Sequence, residues 1–141
     1  MAYQIFVDRF ANGNRDGYVN SPKVNSMIYG RLTDRPLYIR NQQNGILRWD
    51  FYGGNLRGII AKIPYFQELG ITILYLTPIF QASSNHRYDT GDFFKIDPVL
   101  GDLADFDQLV ATLHQADIHL ILDGVFNHVG VNSKYFNQDG S

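Results

Sequence analysis

The stretch Ile118-His119-Leu120-Ile121-Leu122-Asp123-Gly124-Val125-Phe126-Asn127-His128-Val129-Gly130 carries the most information in this chain. Its first five residues, Ile118–Leu122, form a short, largely apolar run that reads as a buried strand. Asp123, Asn127 and His128 then stand at and just beyond the C-terminal end of that strand. In parallel α/β architectures that end is where chemistry is done.

The elements before it fit the same architecture. Tyr3–Phe10 reads as a first strand, rich in β-formers. Asn55 can cap a helix with apolar positions Leu56, Ile59, Ile60, Ile63, Phe66 and Leu69, the stripe of an amphipathic helix. Pro64 inside that pattern predicts a kink or restart, and Gly70 a stop. Ile71–Leu76 is a continuous apolar run, as expected for a parallel strand covered on both faces. Asp102 caps a second helix, with Asp105 favoured in its first turn and a buried stripe of Leu103, Phe106, Leu109, Val110 and Leu113. Asp117 suits the turn after that helix, because Asp tolerates the left-handed region. The order is two consecutive βαβ units, hence a parallel sheet with right-handed crossovers. No Gly-x-Gly-x-x-Gly follows any strand, which weakens a dinucleotide fold.

The connections are unequal. Residues 11–52 form a long polar segment in which Leu37–Arg40 and Ile46–Trp49 read as a hairpin around Asn44-Gly45. Residues 77–98 form a second loop dense in Asp, Asn, His and Tyr. Long strand-to-helix loops and short helix-to-strand turns are the habit of a (β/α)8 barrel. Such a barrel needs about 250 residues and eight strands. The expected fold is therefore α/β: three strands and two helices of an incomplete barrel.

Composition bounds the rest. The chain has 141 residues, 45% hydrophobic and 18% charged, which is globular. A formal net charge of -2 gives no global field toward nucleic acid or an anionic membrane. There are no cysteines, so disulfides and thiolate metal sites are excluded. No apolar run approaches the roughly 20 residues of a membrane span. The N-terminus lacks a signal-peptide pattern. A cytoplasmic location is the corresponding expectation. The chain enters a strand almost at once, as a piece of a longer protein would.

Three segments together resemble the α-amylase family of glycoside hydrolases. They are Gly70–Pro78, Asn85–Phe93 followed by Ile96-Asp97-Pro98 and Gly101, and Asp123–Gly130. The opening Tyr3–Gly13 and the later Phe51-Tyr52-Gly53-Gly54-Asn55-Leu56 resemble the branch of neopullulanases, cyclomaltodextrinases and maltogenic amylases. The resemblance covers essentially the whole chain. It implies residues 1–130 as strands one to three of a catalytic barrel, and 131–141 as the start of a segment inserted after the third strand.

The resemblance also assigns roles. Tyr88 would stack on the sugar beside the scissile bond, and an aromatic ring with a phenol handle suits a pyranose face. His128 would bind a hydroxyl of the same sugar, with His86 beside Tyr88. Asp123 would be an active-site scaffold residue, not the nucleophile, and Asn127 a structural hydrogen-bonder. His114 and His119 show no metal-ligand spacing and read as surface or rim residues. A calcium site in this branch would draw on Asn12, Asn14 and Asp16, with Gly53 and Asn55. Asn55 replaces the branch's Asp, and fewer carboxylates weaken calcium binding. The same loop also reads as a polar turn.

The catalytic carboxylates of the resembled family come from later strands. A retaining glycosidase needs a nucleophile and an acid close together. The only glutamate here is Glu68, on a helix. The resemblance thus implies part of a retaining α-glucan hydrolase acting on α-1,4-linked glucans, cyclodextrins or pullulan. The 141 residues alone would be inactive. Unpaired strand edges imply self-association of the isolated piece. Two other readings stay open: a glucan-binding protein without catalysis, and an unrelated doubly wound α/β domain.

Overall fold

A computed structural model describes residues 1–136. Along the chain come β1 (Ala2–Ile5), β2 (Ser26–Ile28), β3 (Trp49–Phe51), α1 (Leu56–Ala61), α2 (Ile63–Glu68), β4 (Ile73–Leu76), β5 (Phe80–Ala82), β6 (Thr90–Ile96), α3 (Leu103–Gln115) and β7 (His119–Leu122). The last residues of the expected insertion, 137–141, lie outside the described residues.

β1, β4 and β7 form a parallel sheet in that order, Ala2 facing Ile73 and Ile73 facing His119. The helices pack on one face of it. Leu56, Ile59 and Phe66 from α1 and α2 join Leu74 and Leu76 of β4 and Leu109 and Leu113 of α3 in one core. Each fully buried side chain of this kind stabilises by roughly 1.5–3 kcal/mol. Among the described residues no helix is long and apolar enough to cross a membrane.

Local rules explain the helices. The Asn55 side chain accepts from the Gly58 N–H at 2.8 Å and starts α1. Lys62 breaks the helix, and Pro64 falls in the first turn of α2, where its missing N–H costs nothing. Gly70 then turns the chain at φ 70°. Asp102 and Asp105 form a reciprocal capping box at the start of α3. Asp117 takes φ 56° after it.

Four expectations need correction. The first strand ends at Ile5; Val7–Arg9 form a 3-10 turn that takes Asp8 into the interior. The hairpin at Asn44-Gly45 is one antiparallel bridge, Arg40 to Ile46, and Trp49–Phe51 pairs parallel with Ser26–Ile28 instead. Residues 77–98 are not only loop, since β5 and β6 pair antiparallel there. Leu103 is exposed, and the α3 stripe is fully buried only at Leu109 and Leu113.

Candidate functional site

Alternation along β4 builds the centre of the site. Leu74 and Leu76 point into the core, so Tyr75 points to the other face of the sheet. Its hydroxyl donates to Asp123 Oδ2 at 2.6 Å. The Tyr88 hydroxyl donates to the same oxygen at 2.9 Å. Asp123 directly follows β7, and its N–H continues the sheet to the Leu76 carbonyl at 3.1 Å. One carboxylate at the C-terminal strand ends thus gathers two phenols. The hydrogen bond to Asp123, with burial and the aspartate charge, pushes the Tyr75 phenol up to about 12. Burial, then Asp123, raises the Tyr88 phenol. Both therefore stay hydrogen-bond donors at neutral pH.

The loop between β5 and β6 holds Tyr88 in place. Asp89 accepts from the N–H groups of Ser83 and Ser84 and from the Ser84 hydroxyl. The Ser84 hydroxyl also meets His86 Nδ1 at 3.1 Å, and the Tyr88 N–H donates to that same nitrogen at 3.1 Å. Burial lowers the His86 pKa, against the pull of Asp89, which favours the neutral ring, and the Tyr88 N–H makes Nδ1 its acceptor. Arg87 is buried and adopts φ 62°. Its Nε donates to Asp97 at 2.9 Å, and Lys23 reaches the same carboxylate oxygen at 2.6 Å. The left-handed residue turns the chain so that Arg87 points inward and Tyr88 outward.

The expected sugar-binding residues divide. Tyr88 and Asp123 are bonded directly, and His86 joins them through the Tyr88 backbone. His128 is exposed, and its ring meets only Asn127 Oδ1, at 2.9 Å, among the described hydrogen bonds. Asn127 is accordingly a partner of His128. His114 and His119 are exposed, as expected. Tyr75 escaped the sequence reading because an apolar run absorbs a tyrosine as core. Its signal was a polar tip at an alternate position between two buried leucines. Trp49 also escaped, hidden in the expected hairpin; its indole meets His86 edge-on with centroids 5.3 Å apart.

The expected cation ligands are brought together in part. Asn55 Nδ2 donates to Asn12 Oδ1 at 3.1 Å. Asn12 and Asn14 amides both reach the Tyr18 carbonyl, and Asn14 Oδ1 is buried with no hydrogen-bond partner. Gly53 lies against Asn12. Asp16 is exposed and accepts from the Tyr18 N–H at 3.0 Å. Asn55 Oδ1 is taken by the N–H groups of Gly13 and Gly58. The orphaned Asn14 oxygen is of the type a hard cation takes, whereas Asn12 Oδ1 already accepts from the Asn14 N–H and Asn55 Nδ2, and the Gly17 and Tyr18 carbonyls accept amide N–H groups. No group of three or more His, Cys, Asp or Glu assembles among the described residues.

Known proteins share this architecture. The family profile described as the alpha amylase catalytic domain matches residues 4–141. An amylopullulanase of Thermoanaerobacter thermohydrosulfuricus is 44% identical over 98% of this chain, which is 10% of that protein. An intracellular maltogenic amylase of Bacillus subtilis is 47% identical over 91% of this chain and 19% of its own length. The solved structure of a cyclic α-maltosyl-(1→6)-maltose hydrolase from Arthrobacter globiformis superposes with a TM-score of 0.74 and 37% identity, over 96% of this chain and 27% of that one. A solved cyclomaltodextrinase gives a TM-score of 0.73 at 37% identity, over 96% of this chain and 21% of that one. The chain thus spans between 10% and 19% of the curated relatives named here. The chain belongs to the α-amylase family, in the branch of the neopullulanases, cyclomaltodextrinases and maltogenic amylases, and its sheet is the N-terminal part of that family's (β/α)8 barrel.

Proposed function

We propose that this chain supplies the sugar-holding side of a retaining α-glucan hydrolase whose catalytic carboxylates lie outside the 141 residues. The observation that carries this reading is the pair of phenols on Asp123. It fixes the Tyr88 ring over the C-terminal strand ends, with its face available to one glucosyl unit. A pyranose presents an apolar face to such a ring and hydroxyls to His86 and Asp123. His128 serves the same unit only after turning from Asn127. Asp123 accepts from the Tyr75 and Tyr88 hydroxyls at once, so its role in this reading is to orient neighbours. Retaining hydrolysis needs two carboxyl groups about 5–5.5 Å apart. The only glutamate, Glu68, sits on α2. The substrates fitting this reading are α-1,4-linked glucans, cyclodextrins or pullulan.

The test is a reducing-sugar assay on the full protein, its Tyr88→Ala variant and the 141-residue chain. Turnover of maltodextrin by the full protein, lost in the variant and absent from the short chain, supports the reading. Turnover by the short chain alone would overturn it.

The oxygen loop is part of the proposal. Asn12, Asn14 and the Gly53 carbonyl, with Asp16 after a turn of its side chain, would hold calcium. Asn55 would act through the helix cap. A cation there pins the long connection against α1. Calcium should raise the melting temperature of the full protein, and Asn14→Ala should abolish that rise. An unchanged calcium response in Asn14→Ala would remove the site.

A further inference from the structure

We propose that Lys23 is a positioning residue for hydrolysis: from the long connection it clamps both arms of the excursion that presents Tyr88, and so holds that ring over the strand ends. This rests on the α-glucan reading of the Tyr88 site.

Lys23 is firmly mounted. Its carbonyl accepts from the Ser26 N–H at 3.1 Å and from the Ser26 hydroxyl at 2.6 Å. Ser26 opens β2, which pairs with β3. The side chain leaves that ribbon, and its ammonium lies 5.3 Å from the centroid of the buried Phe51 ring. It donates to the Ala82 carbonyl at 2.5 Å and to Asp97 Oδ2 at 2.6 Å.

These two acceptors stand on opposite arms of the excursion. Ala82 ends β5, Asp97 follows β6, and Tyr88 comes between them. On the first arm, Ser83 and Ser84 follow Ala82, and their N–H groups hold Asp89, the residue after Tyr88. On the second, Asp97 holds Arg87, the residue before Tyr88, at 2.9 Å. Tyr88 is therefore flanked by two residues, each fastened to one arm, and both arms are fastened to one ammonium. Arg87 already brings a cation to Asp97. Charge pairing does not require Lys23 to meet a neutral carbonyl as well, whereas joining the two arms does.

The clamp depends on the charge of the amine. The Lys23 side chain is 21% exposed. Burial pulls its pKa below the usual lysine value, against the charge and hydrogen bond of Asp97; Arg87 adds to the lowering and Asp89 opposes it.

The experiment measures kcat/KM on maltodextrin for the full protein, Lys23→Met and Lys23→Arg, with circular dichroism at the assay temperature. Lys23→Met leaves the Arg87–Asp97 pair in place and should be folded. Its kcat/KM should fall about tenfold, the size of one hydrogen bond to a charged group. Lys23→Arg keeps a cation with several donors and should restore most of the loss. The pH profile separates positioning from packing. As pH rises from about 7 to about 10 the Lys23 amine discharges, whereas a guanidinium does not. The ratio of wild-type to Lys23→Arg kcat/KM should fall over that range; a packing role would leave it flat. If Lys23→Met is unfolded by circular dichroism, this ratio decides alone. An unchanged kcat/KM in folded Lys23→Met, a loss that Lys23→Arg does not restore, or a flat ratio would each overturn the clamp and leave the α-glucan reading standing. No turnover of maltodextrin by the full protein would overturn both.

Discussion

Asp123 concentrates the chemistry of the site in one oxygen. Tyr75→Phe removes one of its two phenol donors and nothing else. A hydrogen bond to a charged group is worth about 1.5–3 kcal/mol, so kcat/KM of the full protein should fall roughly 10- to 100-fold. Steady-state kinetics on maltodextrin would check this, and the variant should keep its melting temperature within a few degrees. Asp97 is the opposite case, structural and fully buried. Asp97→Ala leaves Arg87 uncompensated in the interior and should cost about 3–5 kcal/mol, read as a large loss of melting temperature. His86 makes stability depend on pH. Its folded pKa lies below 6.5, so the unfolded chain takes up the proton first as pH falls. Stability is unaffected above pH 6.5 and declines as pH falls from there through the folded pKa. Melting curves between pH 7 and 5 should show a smaller decline in His86→Gln than in the wild type.

At the scale of elements, α1 is set by its neighbours as much as by its own residues. Gly58 sits in the helix, where alanine normally favours the fold. Here a Cβ would run into the Ala11 carbonyl, so Gly58→Ala should destabilise the protein. Asn55→Ala removes the helix cap and the links to Gly13 and Asn12, and should cost about 1–2 kcal/mol in chemical denaturation. Such local rules are what the sequence exposes. The Asn55 and Asp102 caps, the break at Pro64 and the turns at Gly70 and Asp117 depend on residues within one turn of each other. What stayed hidden depends on distant partners. β2 and β3 are three residues each and meet only across the long connection. Thr90–Ile96 carries polar residues along its length, and pairing with β5 makes it a strand. Asp8 reads as part of a strand until the backbone of Tyr52, donating to it at 3.1 Å, draws it inside. In the site, the motif residues Tyr88 and Asp123 were legible, whereas Tyr75 and Trp49 required knowledge of which face each strand presents.

The described residues form an arc of a barrel. Among them β1 and β7 each have one neighbour, and Ile121, Phe94 and Phe126 are exposed. The isolated 141-residue chain should therefore self-associate, and light scattering should show a mass that rises with concentration. A concentration-independent monomer would contradict this. Asp97 has a consequence for how such proteins can be rebuilt. It follows β6 and bonds both to Arg87 from the same excursion and to Lys23 from the connection before β3. The two excursions above the sheet are thus not separable cassettes. A graft that imports either one from a homologue must bring a cation to Asp97 with it, or leave a buried charge behind. Chimeras that respect this linkage should express as folded protein where simple swaps do not.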